Sequence, residues 1–131
     1  MLTEQLTARR EQIVRDYYDS NDTQDWDVIR SFFAPQMEFR VGNAEPIRSL
    51  DVLQENVEGN LKSCEVTVML HLIESFIHDP QGRYCVSEIE VQLARADGRT
   101  FTGPCVAVFR FDDEDRIESY HAYLDPGHFW L

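Results

Sequence analysis

Side chains that could do chemistry gather in three places of this 131-residue chain. Along Tyr84 to Ala94 (Y-C-V-S-E-I-E-V-Q-L-A), Glu88, Glu90 and Gln92 alternate with Ile89, Val91 and Leu93, the period of a strand whose successive side chains point to opposite faces. Both carboxylates therefore share one face. That face is either wetted, as in a one-sided antiparallel sheet, or it lines a cavity in which two acids could share proton-transfer work. In a closed core two unpaired carboxylates are costly, so they must meet water, a base or a substrate. His71 stands alone between Leu70 and Leu72, either a core histidine paired with a carbonyl or a base. Tyr17 lies on the apolar stripe of a helix and is a core tyrosine or a donor; Asp22, near that helix's end, is a turn residue or a partner for another polar group.

The elements that must position these groups are legible from period and punctuation. Thr3 caps a helix whose apolar positions are Leu6, Ile13, Val14 and Tyr17, ending near Ser20-Asn21-Asp22. Trp26, Ile29 and Phe33 give a second helix over Gln24 to Phe33, stopped by Pro35. Met37 to Val41 reads as a short strand, Ala44 to Leu50 as loop, and Leu50, Leu53, Val57 and Leu61 as a third amphipathic helix. The texture then changes to β: a run over Cys64 to His78, a turn at Asp79-Pro80-Gln81-Gly82, Tyr84 to Ala94, an Asp97-Gly98 hairpin, Phe101 to Phe111, a charged turn and Ile117 to Asp125. Three helices followed by hairpin-linked strands make one α+β domain over residues 1–131, the helices on one face of a curved antiparallel sheet. The aromatic tail Pro126 to Leu131 is expected to pack on the domain. With one face covered by helices, Ile89, Val91 and Leu93 need a second layer, and a second copy of the sheet supplies it: a homodimer through the outer face.

Composition narrows the function classes. A formal net charge of −12 repels phosphate backbones and anionic lipid, against nucleic-acid and membrane-surface roles. Cys64, Cys85 and Cys105 are an odd number without C-x-x-C spacing in strand-like apolar runs, which suits buried thiols in the cytoplasm. No apolar run is long enough to span a membrane, and Met1 to Arg10 has no signal-peptide core. No pair among His71, His78, His121 and His128 has metal-ligand spacing, and there is no phosphate loop or nucleophile elbow, so neither metal nor cofactor is expected. His78, His121 and His128 are expected at the surface or an interface.

D-W-D-V-I-R-S-F-F-A-P-Q-M-E-F after a first helix, the D-G-R hairpin, and V-F-R-F-D-D-E-D-R-I-E-S-Y before the last strand resemble the SnoaL-like branch of the nuclear-transport-factor-2-like superfamily, over nearly the whole chain. The resemblance implies a cone-shaped α+β fold that hosts isomerases, dehydratases, epoxide hydrolases, cyclases and binding modules. Laid over the ketosteroid isomerase pattern, the chain has Glu88, Glu90, Gln92 and Ala94 facing the pocket. Tyr120, Ala122 and Leu124 also face it, whereas His121 and Tyr123 face outward. The isomerase's base falls on Val41 and its oxyanion-hole acid on Ala107, which excludes that reaction, while its helix-1 tyrosine persists as Tyr17. The scytalone and bile-acid dehydratases are more similar in pocket chemistry: their tyrosine, aspartate and histidine fall on Tyr17, Asp22 and His71, and their fourth group on Glu90 or Gln92.

That resemblance implies a cofactor-independent dehydratase acting on a hydrophobic, hydroxylated carbonyl compound. His71 with Asp22 would be the base, Tyr17 the donor polarising the carbonyl, and Glu90 the acid for departing water, a role that requires a buried carboxyl. Trp26, Phe33, Phe39, Val41, Met69, Tyr120 and Leu124 would line the pocket with Glu88 and Gln92. The alternatives are isomerisation, cyclisation or epoxide opening with an aspartate or glutamate as base, or a non-catalytic binding or assembly domain. The last would tie the carboxylates into ion pairs with Arg40 or Arg110.

Overall fold

The computed structural model describes residues 2–131. Helix α1 (Glu4–Asp22) starts where the Thr3 hydroxyl accepts the Leu6 N–H at 3.1 Å, satisfying one of the first-turn donors that have no partner in the helix. A short α2 (Trp26–Ser31) is capped by Asp25, and α3 (Leu50–Ser63) by Ser49. The strands are β1 (Phe33–Val41), β2 (Val66–His78), β3 (Tyr84–Arg95), β4 (Thr100–Phe111) and β5 (Ile117–Tyr123), joined in the spatial order β1-β5-β4-β3-β2.

Two expectations about the elements are corrected. Helix α2 ends at Ser31, because the chain enters β1 at Phe33 and carries Pro35 inside a strand irregularity: from Phe33 to Glu38 β1 advances five residues while its partner advances two. Proline lacks the N–H a regular ladder needs, so it is accommodated there. The sheet is also not wholly antiparallel. β1 runs parallel to β5, whereas the β2–β3, β3–β4 and β4–β5 pairs are antiparallel.

The orientation of β3 is the reverse of that implied by the ketosteroid isomerase pattern. Ile89, Val91 and Leu93 are at most 5% exposed and join the core with Val14, Tyr17 and Tyr18 of α1, Ile29 of α2 and Leu53 of α3. Glu88, Glu90 and Gln92 therefore lie on the outer face. Register explains why: Val91 is directly opposite His71 and Leu93 opposite Met69, and residues directly opposite in adjacent strands point to the same side of the sheet. An inward His71 thus requires an outward Glu90. Glu88 accepts a hydrogen bond from the Ser75 hydroxyl at 2.6 Å and Glu90 one from Gln92 Nε2 at 2.8 Å. Arg110 pairs with Glu118, and Arg40 donates to the Ala44 carbonyl, so neither arginine ties down Glu88 or Glu90.

Two more corrections concern side chains. His78 is not a surface residue: beyond the β2 irregularity between Ile73 and Ser75 it lies opposite Cys85 on the inner face, and its Nε2 meets Glu11 of α1 at 2.8 Å. Cys64 is half-buried at the C-cap of α3 rather than in a strand, whereas Cys85 and Cys105 are buried on the inner face. The tail packs as expected. Phe129 is buried, and Arg95 donates to its carbonyl at 2.6 Å.

Burial pushes the Cys85 thiol up to about 12 and the Cys105 thiol up to about 11, from an ordinary 9.0. A raised folded-state pKa contributes stability that is whole below the unfolded value and lost as pH climbs toward the folded one. Unfolding midpoints in urea should hold up to pH about 9 and then fall, each thiol adding about 1.4 kcal/mol per pH unit to the slope. A midpoint unchanged between pH 9 and 11 contradicts the burial of both thiols.

Candidate active site

The last two turns of α1 carry two pairs at the i, i+4 spacing that stacks side chains on one helix face. Tyr17 and Asn21 form one pair and face a cavity; Tyr18 and Asp22 form the other and face His71. Strand β2 is an edge of the sheet, so every other N–H along it has no strand partner. Asp22 supplies the missing acceptor at His71. Its Oδ2 accepts the His71 backbone N–H at 2.8 Å, and its Oδ1 lies 2.5 Å from the ring Nδ1. One carboxylate thus holds both the backbone and the ring of the same residue. With Nδ1–H donating to Asp22, the ring is the tautomer whose Nε2 carries a lone pair. The two side chains are each 13% exposed, and the ring forms part of the cavity wall.

The cavity encloses about 340 Å³ between α1, α3, the inner sheet face and the C-terminal tail. Of the expected site residues, Tyr17, Phe39, Val41, Met69, His71, Tyr120 and Leu124 line it. Asp22 stands behind His71. Trp26 and Phe33 do not reach the wall: Trp26 is buried with its indole N–H on Gln24, and Phe33 packs in the core edge-on to Tyr17 at 5.7 Å. Glu88, Glu90 and Gln92 are on the other side of the sheet, so the expected fourth group is not in the cavity. In its place the wall has Val91, Leu93 and Cys105, apolar groups brought there by the register described above.

Burial holds the hydroxyls of Tyr17, Tyr18 and Tyr120 well above the ordinary phenol range; a neighbouring tyrosine adds to this at Tyr17 and Tyr120, while at Tyr18 the hydrogen bond with Tyr120 opposes it, and all three are protonated donors at neutral pH. Among the described residues nothing hydrogen-bonds the Tyr17 hydroxyl, whereas the Tyr18 and Tyr120 hydroxyls meet at 3.2 Å. The mouth carries Asn56 and Asn60 of α3, which share a side-chain hydrogen bond, and Trp130 of the tail. Asn21, read in the sequence as part of the end of the first helix, and Asn56 and Asn60 are lining residues that sequence reasoning missed; their i, i+4 spacing to Tyr17 and to each other was the available signal. Among the described residues no cluster of three or more His, Cys, Asp or Glu is placed to hold a metal ion, and no helix is long and apolar enough to cross a membrane.

A family model for the SnoaL-like domain matches residues 14–120. The chain belongs to the SnoaL-like family. Its NTF2-like architecture is shared with solved structures of low sequence identity. One is an NTF2-like protein of unknown function from Burkholderia pseudomallei, 18% identical with a TM-score of 0.78, covering 89% of this chain and 91% of that one. Another is a putative polyketide cyclase from Xanthomonas campestris, 16% identical, TM-score 0.73, covering 90% and 91%. A third, an LEH-like epoxide hydrolase of M. tuberculosis, is also 16% identical with a TM-score of 0.73, covering 90% of this chain and 84% of that one. At such identities the likeness is one of fold. Among curated proteins none matches the sequence. Within this SnoaL-like domain the Asp22–His71 pair is the cavity's one imidazole–carboxylate unit among the described residues.

Proposed function

We propose that this SnoaL-like protein is a cofactor-independent acid/base enzyme that removes a proton next to the carbonyl of a mostly hydrophobic substrate, with dehydration of a β-hydroxy carbonyl compound as the overall reaction. The observation that carries this reading is the Asp22–His71 pair in the wall of an apolar cavity of about 340 Å³. With both oxygens of Asp22 engaged by His71, the carboxylate positions and the imidazole transfers the proton. His71 Nε2 takes the α-proton, and the Tyr17 hydroxyl donates a hydrogen bond to the enolate oxygen that develops. Among the described residues no carboxyl lines the cavity to serve as a separate acid. The imidazolium therefore returns the same proton to the β-hydroxyl, which leaves as water from the face on which the proton was removed. Both Glu90 and Gln92 drop out of the mechanism.

Cyclisation is the second reading, favoured by the same absence of a cavity carboxyl: an enolate that keeps its hydroxyl can attack a second carbonyl of the substrate instead. Loss of the mass of one water separates the two. The common step is tested in D2O with a panel of aryl β-hydroxy ketones, following by mass spectrometry the α-deuterium gained by substrate that returns from the enolate after the imidazolium proton has exchanged with solvent. The wild type should exchange, His71→Asn should be slower by about 10²-fold or more, and Asp22→Asn should fall between them. Exchange undiminished in His71→Asn contradicts the assignment.

We also propose a homodimer through the outer sheet face. Ile89, Val91 and Leu93 do not ask for the second layer, being in the core, but Val68, Leu70 and Leu72 of β2, Val106 of β4 and Tyr123 of β5 are exposed on that face. Sedimentation equilibrium should give twice the chain mass for the wild type and the chain mass for Leu70→Glu/Leu72→Glu; a monomeric wild type overturns the proposal.

A further inference from the structure

Tyr18 has no place in the mechanism above, and it is not among the cavity-lining residues. It nonetheless touches both the His71 base and a second phenol of the cavity wall, Tyr120. Its ring stacks on the His71 imidazole, centroids 4.7 Å apart and planes 15° from parallel, and its hydroxyl meets the Tyr120 hydroxyl at 3.2 Å. It is 2% exposed and packs edge-on against Phe109, centroids 5.8 Å apart. The spacing on α1 makes this possible. Tyr18 precedes Asp22 by four residues, so one turn of the helix presents a flat wall to the imidazole face and the next a carboxylate to the imidazole edge.

We infer that Tyr18 is the positioning residue of the site, fixing the plane of the His71 base through its ring and the direction of the Tyr120 hydroxyl through its own. This rests on the proton-transfer reading for its catalytic consequence, while its geometric content stands apart from it. Asp22 alone restrains the imidazole at Nδ1 and leaves it free to tilt about the Nδ1–Oδ1 line; the Tyr18 ring blocks that tilt on one face and leaves the other to the cavity. At the second contact either hydroxyl can donate; with a substrate oxygen in the cavity to accept from Tyr120, the Tyr18 hydroxyl donates to Tyr120 and the Tyr120 proton points at the substrate. Tyr120 is itself braced by Phe39, stacked on it at 4.8 Å. The cavity then presents two phenolic donors, Tyr17 from the helix and Tyr120 from the sheet, to the oxygen of a developing enolate. A β-hydroxy ketone, whose carbonyl and hydroxyl oxygens stand in a 1,3 relation, fits such a pair.

Tyr18→Phe and Tyr18→Leu in the full chain separate the two contacts. Ring-current displacement of the His71 carbon-bound ring protons, read by NMR without any substrate, should persist in Tyr18→Phe and vanish in Tyr18→Leu. In the deuterium-exchange assay, Tyr18→Phe should lower kcat about tenfold with KM unchanged, since the Tyr120 donor is loosened and not removed. Tyr18→Leu should lose more, because the base is misaligned as well. Tyr18→Phe serves as the control for folding, its thermal midpoint staying close to that of the wild type. If the ring protons are unmoved in Tyr18→Leu, the stacking role falls; if Tyr18→Phe exchanges as fast as the wild type, the hold on Tyr120 falls. Failure of the His71 assignment itself would register differently, as full exchange in His71→Asn with the ring-current result intact.

Discussion

A single carboxylate at the end of the first helix takes the backbone and the ring N–H of one residue on an edge strand, and the site's geometry follows from that contact. Because β2 has no neighbour on its far side, the N–H of His71 has no strand partner, and Asp22 fills that vacancy while it turns Nδ1 toward itself. The same contact pins α1 to the sheet edge. It also fixes which of its residues face where: Tyr17 and Asn21 toward the cavity, Tyr18 and Asp22 toward the histidine. Removing the carboxylate would leave two N–H groups of one half-buried residue without an acceptor, a loss of about 1.5–3 kcal/mol for a hydrogen bond to a charged group.

The second constraint is the two-residue period of the strands. Once His71 faces inward, its opposite neighbour Val91 must do so too, and the alternating residues of β3 are sent to the outer face. The cavity is consequently apolar along β3 and β4, and its polar groups come from α1, α3, β2 and β5. The polar groups that face the cavity are few among the described residues: one imidazole, phenols whose pKa burial raises, and carboxamides at the mouth.

Much of the fold was legible in the sequence because it is written in local signals. Thr3 capped α1 where its hydroxyl suggested, the Asp97-Gly98 pair turned the β3–β4 hairpin, and β3 began at Tyr84 as its alternation implied. The parallel pairing of β1 with β5 was not, since it joins residues more than 80 positions apart with no local signature, and Pro35 argued against strand at that point. Asp22 and His71 were found by resemblance and are in contact. Glu90 was misplaced because the two halves of that resemblance conflict: an inward His71 and an inward Glu90 cannot coexist in adjacent strands at this register. The register shift between Ile73 and Ser75 is what hides this from the sequence: counted from the His78–Cys85 end of the hairpin without it, His71 would lie opposite Gln92 and share a face with Glu90. Tyr18 carried only the i, i+4 relation to Asp22, which gains meaning once His71 is known to lie between them.

The proposed chemistry requires that Asp22 hold a proton on Nδ1 of His71 and leave the Nε2 lone pair to the cavity. Neutron diffraction from a deuterated crystal at neutral pH locates that hydrogen directly. A deuteron on Nδ1 in line with Asp22 and none on Nε2 is expected. A neutral ring with its deuteron on Nε2, or an imidazole turned away from Asp22, contradicts that chemistry.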